Sequence, residues 1–242
     1  MGINLFPGKK ICPFNCPYCE VFPFSTNAIV IQEQMECDLR SAIANALKQN
    51  IPVKDICFSG NGEPSLSPDF PEALNMAAHI RDEMIPSAKL VLITNGAGLP
   101  EPGLFSLLHD AAISSLLNIW LKLDAGTAAW YRKINRTDIP FEKIIAAIKK
   151  FAACTPVTIQ TMLCTIDGES PPPEEAYTWE QLMLELSAAG NIRAVQIYGK
   201  ARPAPEDPKS SSLPVAYLEE RAASLRQALK QAPFVPQVEV YP

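Results

Sequence analysis

Apolar residues along this chain alternate between two rhythms. Short continuous runs at Ile3 to Phe6, Ile56 to Phe58, Leu90 to Ile93, Ile119 to Leu123, Val157 to Leu163 and Ala194 to Tyr198 read as buried strands. Between them, apolar positions recur at helical spacing. Leu39, Ile43, Ala46 and Leu47 form one such stripe, and Phe70, Ala73, Ala77, Ile80 and Met84 the next. A short helix follows at Leu104 to His109, then a strong face of Phe141, Ile144, Ile145, Ile148 and Phe151. Trp179, Leu182, Met183 and Leu186 mark a further helix, and Leu218, Ala222, Leu225 and Leu229 the last. Val238 to Tyr241 has the pattern of an added edge strand.

Continuously apolar strands are what a parallel sheet covered by helices requires. Six strand–helix units predict an α/β fold, a partial (β/α)6 TIM-like barrel with mostly parallel strands, because a closed eightfold barrel takes about 250 residues. The expectation is one domain over 1–242, with the final helix and edge strand in 214–242. In such sheets chemistry gathers beyond the carboxyl ends of the strands. Two proline-rich segments, Ser170 to Glu175 and Ala201 to Pro214, read as irregular connecting loops.

Composition narrows the class. With 48% hydrophobic residues in 242, a sizeable core is available. No apolar run reaches the ~18 residues of a membrane span, and the first residues lack a basic-then-apolar signal pattern, so a soluble cytoplasmic protein is expected. Seven cysteines, an odd number with three clustered, point to a reducing compartment and metal ligation rather than a disulfide framework. A net charge of −5 without a basic stripe is a poor footprint for nucleic acid, though a local patch is compatible with it.

The clustered cysteines are Cys12-Pro-Phe-Asn-Cys16-Pro-Tyr-Cys19, spaced C-x3-C-x2-C. Thiolates so placed hold zinc or an iron–sulfur cluster, and the two prolines stiffen the loop. A fully wrapped metal wants four protein ligands, and no fourth follows nearby, so one metal position is left open for chemistry. A small zinc or disulfide loop is the competing reading. The loop, with an aromatic before its last cysteine, resembles that of the radical S-adenosylmethionine (SAM) superfamily. The resemblance implies that Cys12, Cys16 and Cys19 hold three irons of a [4Fe–4S] cluster while SAM chelates the fourth. It implies further that an electron from the cluster cleaves SAM to methionine and a 5′-deoxyadenosyl radical, which abstracts hydrogen from a substrate. Reduced flavodoxin or ferredoxin is the implied electron donor.

Three further motifs follow in order. Ser59-Gly60-Asn61-Gly62-Glu63-Pro64 succeeds the second strand, where small residues let backbone approach a ligand. It resembles the superfamily's glycine-glycine-glutamate motif, which implies that Gly60, Asn61, Gly62 and Glu63 cradle the methionyl amino group. Thr94-Asn95-Gly96 ends the third strand, and the resemblance places Thr94 and Asn95 near SAM. Lys122 and Asp124, two apart at the end of the fourth strand, share a face, and a lysine in an apolar strand needs a partner or a polar cavity. Asp124 suits ribose hydroxyls and Lys122 a carboxylate of SAM or substrate, whereas a structural Lys–Asp pair is the plain alternative. Gln160, with Gln196 and Tyr198 on the neighbouring strand, suggests a polar cavity lined from several strands; buried amides satisfied by backbone are the alternative. Beyond that strand Arg202 is placed to clamp a carboxylate or phosphate, or is an ordinary surface arginine. In the family the position of Tyr18 packs near the adenine.

Within the superfamily the Gly-Glu-Pro turn, the run Lys122 to Ala125 and Arg202-Pro203 are most similar to small proteins related to the wyosine-synthesis (4-demethylwyosine synthase-like) group. Lys122 and Arg202 are then the candidate catalytic residues, on an unidentified substrate. The sequence lacks a second cysteine trio and a basic surface, each of which lowers a tRNA-modifying role. That role, and a non-catalytic metal-binding protein with a structural cysteine loop, are the rival readings.

Overall fold

The computed structural model describes residues 1–205 and 209–242; residues 206–208, in the second proline-rich loop, lie outside the described residues. In chain order the elements are β1 (Gly2–Ile3), α1 (Gln32–Lys48), β2 (Asp55–Phe58), α2 (Phe70–Met84), β3 (Lys89–Thr94), α3 (Pro102–Ile113), β4 (Leu117–Lys122), α4 (Ala128–Ile134) and α5 (Phe141–Ala152). They continue with β5 (Val157–Ile166), α6 (Pro173–Ala188), β6 (Ile192–Gly199), β7 (Ser210–Ser212), α7 (Val215–Leu229) and β8 (Gln237–Tyr241). The main sheet runs β1-β2-β3-β4-β5-β6-β8 with every pairing parallel, and β7 adds antiparallel to the end of β5. This is the partial barrel expected, and α7 carries the chain back so that the predicted edge strand pairs parallel with β6.

The outer face of the sheet builds the core. Leu117, Ile119 and Leu121 of β4 are buried, as are Leu90 and Leu92 of β3, against the inward stripes of the helices. Phe58 and Phe70 meet edge to face with ring centroids 5.3 Å apart, and each buried side chain of this size contributes about 2 kcal/mol. The stripe on α1 is narrower than its spacing predicts, because Leu47 is exposed while Leu39, Ile43 and Ala46 face the sheet.

The inner face departs from the expectation of strands apolar on both sides. Asn118, Trp120 and Lys122 alternate with the buried Leu117, Ile119 and Leu121 of β4, and Thr158 and Gln160 alternate with buried Val157, Ile159 and Thr161 on β5. A partial barrel leaves its lumen unfilled by helices, so that face carries polar groups. The first proline-rich segment also departs from a plain loop. Pro173 occupies the first turn of α6, where its missing N–H costs nothing, and Glu174 and Glu175 follow it into the helix.

Candidate active site

The cysteine loop lies across the carboxyl ends of the strands, held from both sides. On the Cys12 side the backbone of Ile11 docks on the glycine turn: its N–H donates to the Asn61 carbonyl at 3.1 Å, and Glu63 N–H donates to its carbonyl at 2.8 Å. A Cβ on Gly62 would stand 2.1 Å from that Ile11 carbonyl oxygen, so the bare face of this glycine is occupied by the cysteine loop, not left for a ligand. Gly60 is required for another reason, a φ of +121°. Asn61 N–H donates to the Asn4 side chain at 3.1 Å.

Glu63 is 2% exposed and ties this turn to the tip of β3. It accepts from the hydroxyls of Ser65 and Thr94, both at 2.6 Å, and from the N–H groups of Asn95 at 2.7 Å and Ser65 at 3.2 Å. Burial raises its pKa, and those four donors work against the rise. The carboxylate the sequence offered to the SAM ammonium is thus largely engaged by the chain itself, fixing Thr94 and Asn95. Asn95 in turn donates its amide to Cys12 Sγ at 3.5 Å.

On the Cys16 side a second group converges. Asp124 is 4% exposed and accepts from Met162 N–H at 2.9 Å, the Asn135 amide at 3.1 Å and the Tyr18 hydroxyl, with Lys122 Nζ at 3.3 Å. These four donors fill a carboxylate's acceptor sites. A ribose hydroxyl reaching Asp124 would therefore have to displace one of them, and Tyr18 is held by this contact. The Lys122 ammonium also donates to the Tyr198 hydroxyl and sits 5.0 and 4.7 Å from the ring centroids of Tyr18 and Tyr198. Burial works against its charge, but Asp124 and Tyr198 more than offset that, so the group stays charged above the ordinary lysine range. Two of its three N–H bonds are used, which leaves one for an anion. The same neighbourhood pushes Tyr198 up to about 12, through burial first. Gln160 is paired with Lys122 across the ladder and donates to Gln196 at 2.9 Å, and Gln196 donates to Glu239 at 3.0 Å.

Asn135, at the end of α4, joins this group to the cysteines. Its amide donates both to Asp124 and to Cys16 Sγ, the latter at 3.5 Å, while its backbone carbonyl accepts from Asn15 N–H at 3.0 Å. The sequence reading missed it and missed α4, although Thr127 as N-cap and the apolar spacing of Trp130, Tyr131 and Ile134 carried the signal. It also missed Glu175, whose buried carboxylate accepts from the Gly126 and Thr127 N–H groups and so shapes the turn after Asp124.

Arg202 lies at the surface beside the cysteine loop. Its side chain is 77% exposed and pairs with Glu20, next to Cys19, at 2.7 Å. Ser210, at the start of β7, also donates to the Pro17 carbonyl at 2.8 Å. Arg202 thus contacts the cysteine loop through Glu20.

Cys12, Cys16 and Cys19 are half-buried free thiols, and burial pushes Cys12 up to about 12 and Cys16 to about 11. Their sulfurs are turned to nearby groups: Cys16 donates to the Asn135 carbonyl and Cys19 to that of Val21. No set of three His, Cys, Asp or Glu is converged on a metal-sized point among the described residues. The donor chemistry nevertheless fits a thiolate-bound cluster. Cys12 Sγ receives the Phe14 N–H as well as Asn95, and Cys16 Sγ receives Asn135, which are the N–H donors that stabilise charged sulfur.

The Radical SAM superfamily profile matches residues 8–179, spanning the cysteine loop, the glycine turn with Thr94 and Asn95, and Lys122, Asp124 and Asn135. The chain belongs to the radical SAM superfamily. Members of this family use a [4Fe–4S] cluster and SAM. A UPF0026 protein of Helicobacter pylori is 30% identical over 152 residues, covering 61% of this chain and 44% of that protein. SuiB of Streptococcus suis bound to S-adenosylmethionine superposes with a TM-score of 0.71 at 14% identity, over 100% of this chain and 50% of SuiB. Archaeal TYW1 superposes less closely, with a TM-score of 0.50 at 14% identity over 83% of this chain and 61% of that one. That is a likeness of fold, and the kinship to wyosine-synthesis enzymes is not carried by it. The chain thus spans about half the length of the H. pylori protein and of SuiB. No helix among the described residues is long and apolar enough to cross a membrane.

Proposed function

We propose that this chain is the catalytic core of a radical SAM enzyme acting on a substrate still to be identified. The observation that carries the reading is the cysteine trio suspended over the strand tips, with buried amides of Asn95 and Asn135 aimed at Cys12 and Cys16. Cys12, Cys16 and Cys19 would hold the cluster. When bound, the cluster supplies the electron that splits SAM into methionine and a 5′-deoxyadenosyl radical.

The chain's own groups do the rest. Gly60 to Glu63 and Thr94 to Asn95 form a rigid turn beside Cys12, suited to the methionyl end of SAM. Lys122, kept charged by Asp124, offers its remaining N–H to a carboxylate. Asp124 fixes Tyr18 and Asn135 and so holds the Cys16 half of the loop in register with the sheet. Arg202 and Ser210, through Glu20 and the Pro17 carbonyl, pack against the cysteine loop and limit water there. Ferredoxin or flavodoxin is the proposed reductant.

The test is anaerobic reconstitution with iron and sulfide, followed by reduction with dithionite in the presence of SAM. Production of 5′-deoxyadenosine by the native chain, and none by the variant with all three loop cysteines changed to alanine, is expected. Equal production by both refutes the assignment.

A further inference from the structure

The lumen of the partial barrel, on the side away from the cysteine loop, encloses a cavity of about 670 Å³. That volume suits one small molecule. Its wall is the polar inner face of the sheet: Asn118, Trp120, Thr158, Gln196, Gln237 and Glu239. The amides and carboxylate are held in a fixed relay, Gln160 to Gln196 to Glu239, with the Tyr241 hydroxyl donating to Glu239 at 2.9 Å. Trp120 and Thr158 carry no side-chain hydrogen bond among the described residues, and Asn118 uses only its amide, toward the Leu90 carbonyl. A wall of fixed and free polar groups around a space this large is built for a hydrogen-bonding guest.

The mouth of the cavity, at the amino ends of the strands, carries Lys54, Lys89 and Arg193. None of the three pairs with a carboxylate among the described residues. The two acidic groups of the lining are already engaged, Glu239 by Gln196 and Tyr241, and Asp55 by the amino group of Met1 at 3.9 Å. A positive mouth on a chain of net charge −5 selects for anions. The ceiling of the cavity leads to the active site: Gln196 and Glu239 stand in the same ladder row as Gln160 and Lys122. Asp124 is two residues further, about 7 Å along the strand.

We infer that this lumen is the substrate chamber, and that it takes a small polar molecule bearing a carboxylate or phosphate. The inference rests on the radical SAM reading of the strand tips above it. The molecule enters between the amino ends of the strands, leaves its anion at Lys54, Lys89 and Arg193, and presents its other end toward Lys122.

Trp120 reports on the chamber, because Trp130 and Trp179 are only 3% and 4% exposed, beneath their helices. The purified full chain is titrated with glucose 6-phosphate, citrate and glucose while tryptophan emission is followed. Both anions are expected to change the emission saturably, and glucose 6-phosphate to bind at least about tenfold more tightly than glucose. The signal is expected to vanish in Trp120→Phe. The double reversal Lys89→Glu/Arg193→Glu, at exposed positions, is expected to weaken the anions about tenfold with no effect on glucose. Equal affinity for sugar and sugar phosphate, no response to either anion, or a full response in Trp120→Phe overturns the inference. Cluster loading is read separately, from iron content and visible absorbance, so a failure of the cysteine assignment is not confused with a failure of the chamber.

Discussion

Replacing Asp124 by asparagine is the sharpest probe of the charged group beside Cys16. The Asp124 side chain is 1% exposed and that of Lys122 is 16% exposed, so the pair has little water to fall back on. Asparagine keeps one acceptor oxygen for four donors and turns its own N–H2 toward the others. The Lys122 ammonium is then buried without a counter-charge. Removing one partner of a buried pair costs about 3–5 kcal/mol. At the lower figure, a chain of this length should melt about 6–12 °C lower. The double variant Lys122→Met/Asp124→Asn removes the stranded charge and should recover part of the loss. The pH dependence has a definite sign. In the native chain Lys122 is raised, so the stability it contributes is fully present below the ordinary lysine pKa and is lost as pH rises through the higher folded value. In Asp124→Asn the largest contribution that raises Lys122 is gone and burial is opposed only by Tyr198 and Cys16, so the folded value falls and the variant's deficit relative to the native chain narrows as pH rises through the lysine range. Circular-dichroism melts of the metal-free proteins from neutral to alkaline pH give both quantities. A variant melting within about 2 °C of the native chain, or a difference indifferent to pH, refutes the reasoning.

Two other expectations concern the cysteine loop. Asn135→Ala removes the N–H donor to Cys16 Sγ but keeps the backbone carbonyl that holds Asn15, so the cluster should still load while its midpoint potential, read by EPR-monitored titration, moves negative. Gly62→Ala puts a methyl 2.1 Å from the Ile11 carbonyl oxygen, so the loop must lift from the glycine turn; iron per chain should fall sharply while far-UV circular dichroism stays native.

The fold was legible because its outer face obeys one rule throughout. Val157, Ile159, Leu117 and Ile119 had to be strand core, and Ile144 and Ile148 had to be helix core, whichever way the sheet curved. The inner face was harder to read, since Gln160 and Gln196 in apolar runs look the same whether they line a cavity or satisfy a neighbour; here Gln196 does both and Gln160 donates to it. The cysteine spacing and the Gly-Glu-Pro turn identified the family, but not what each residue touches. Gly62 looked like room for a ligand, and the room belongs to Ile11. Nothing in the local sequence of Arg202 says that Glu20, far away along the chain, lies beside it. Asn135 and Glu175 act at long range from short or proline-marked helices, and their role depends on tertiary contacts that periodicity cannot report.

The central claim is that three cysteines leave one iron open and that SAM occupies it. The EPR spectrum of the dithionite-reduced, reconstituted protein, recorded with and without SAM, tests this directly. The account predicts a [4Fe–4S]+ signal whose g-values change on adding SAM, and no such signal in the variant lacking the three loop cysteines. A spectrum indifferent to saturating SAM, or a purified chain that takes up zinc and no cluster, would contradict it.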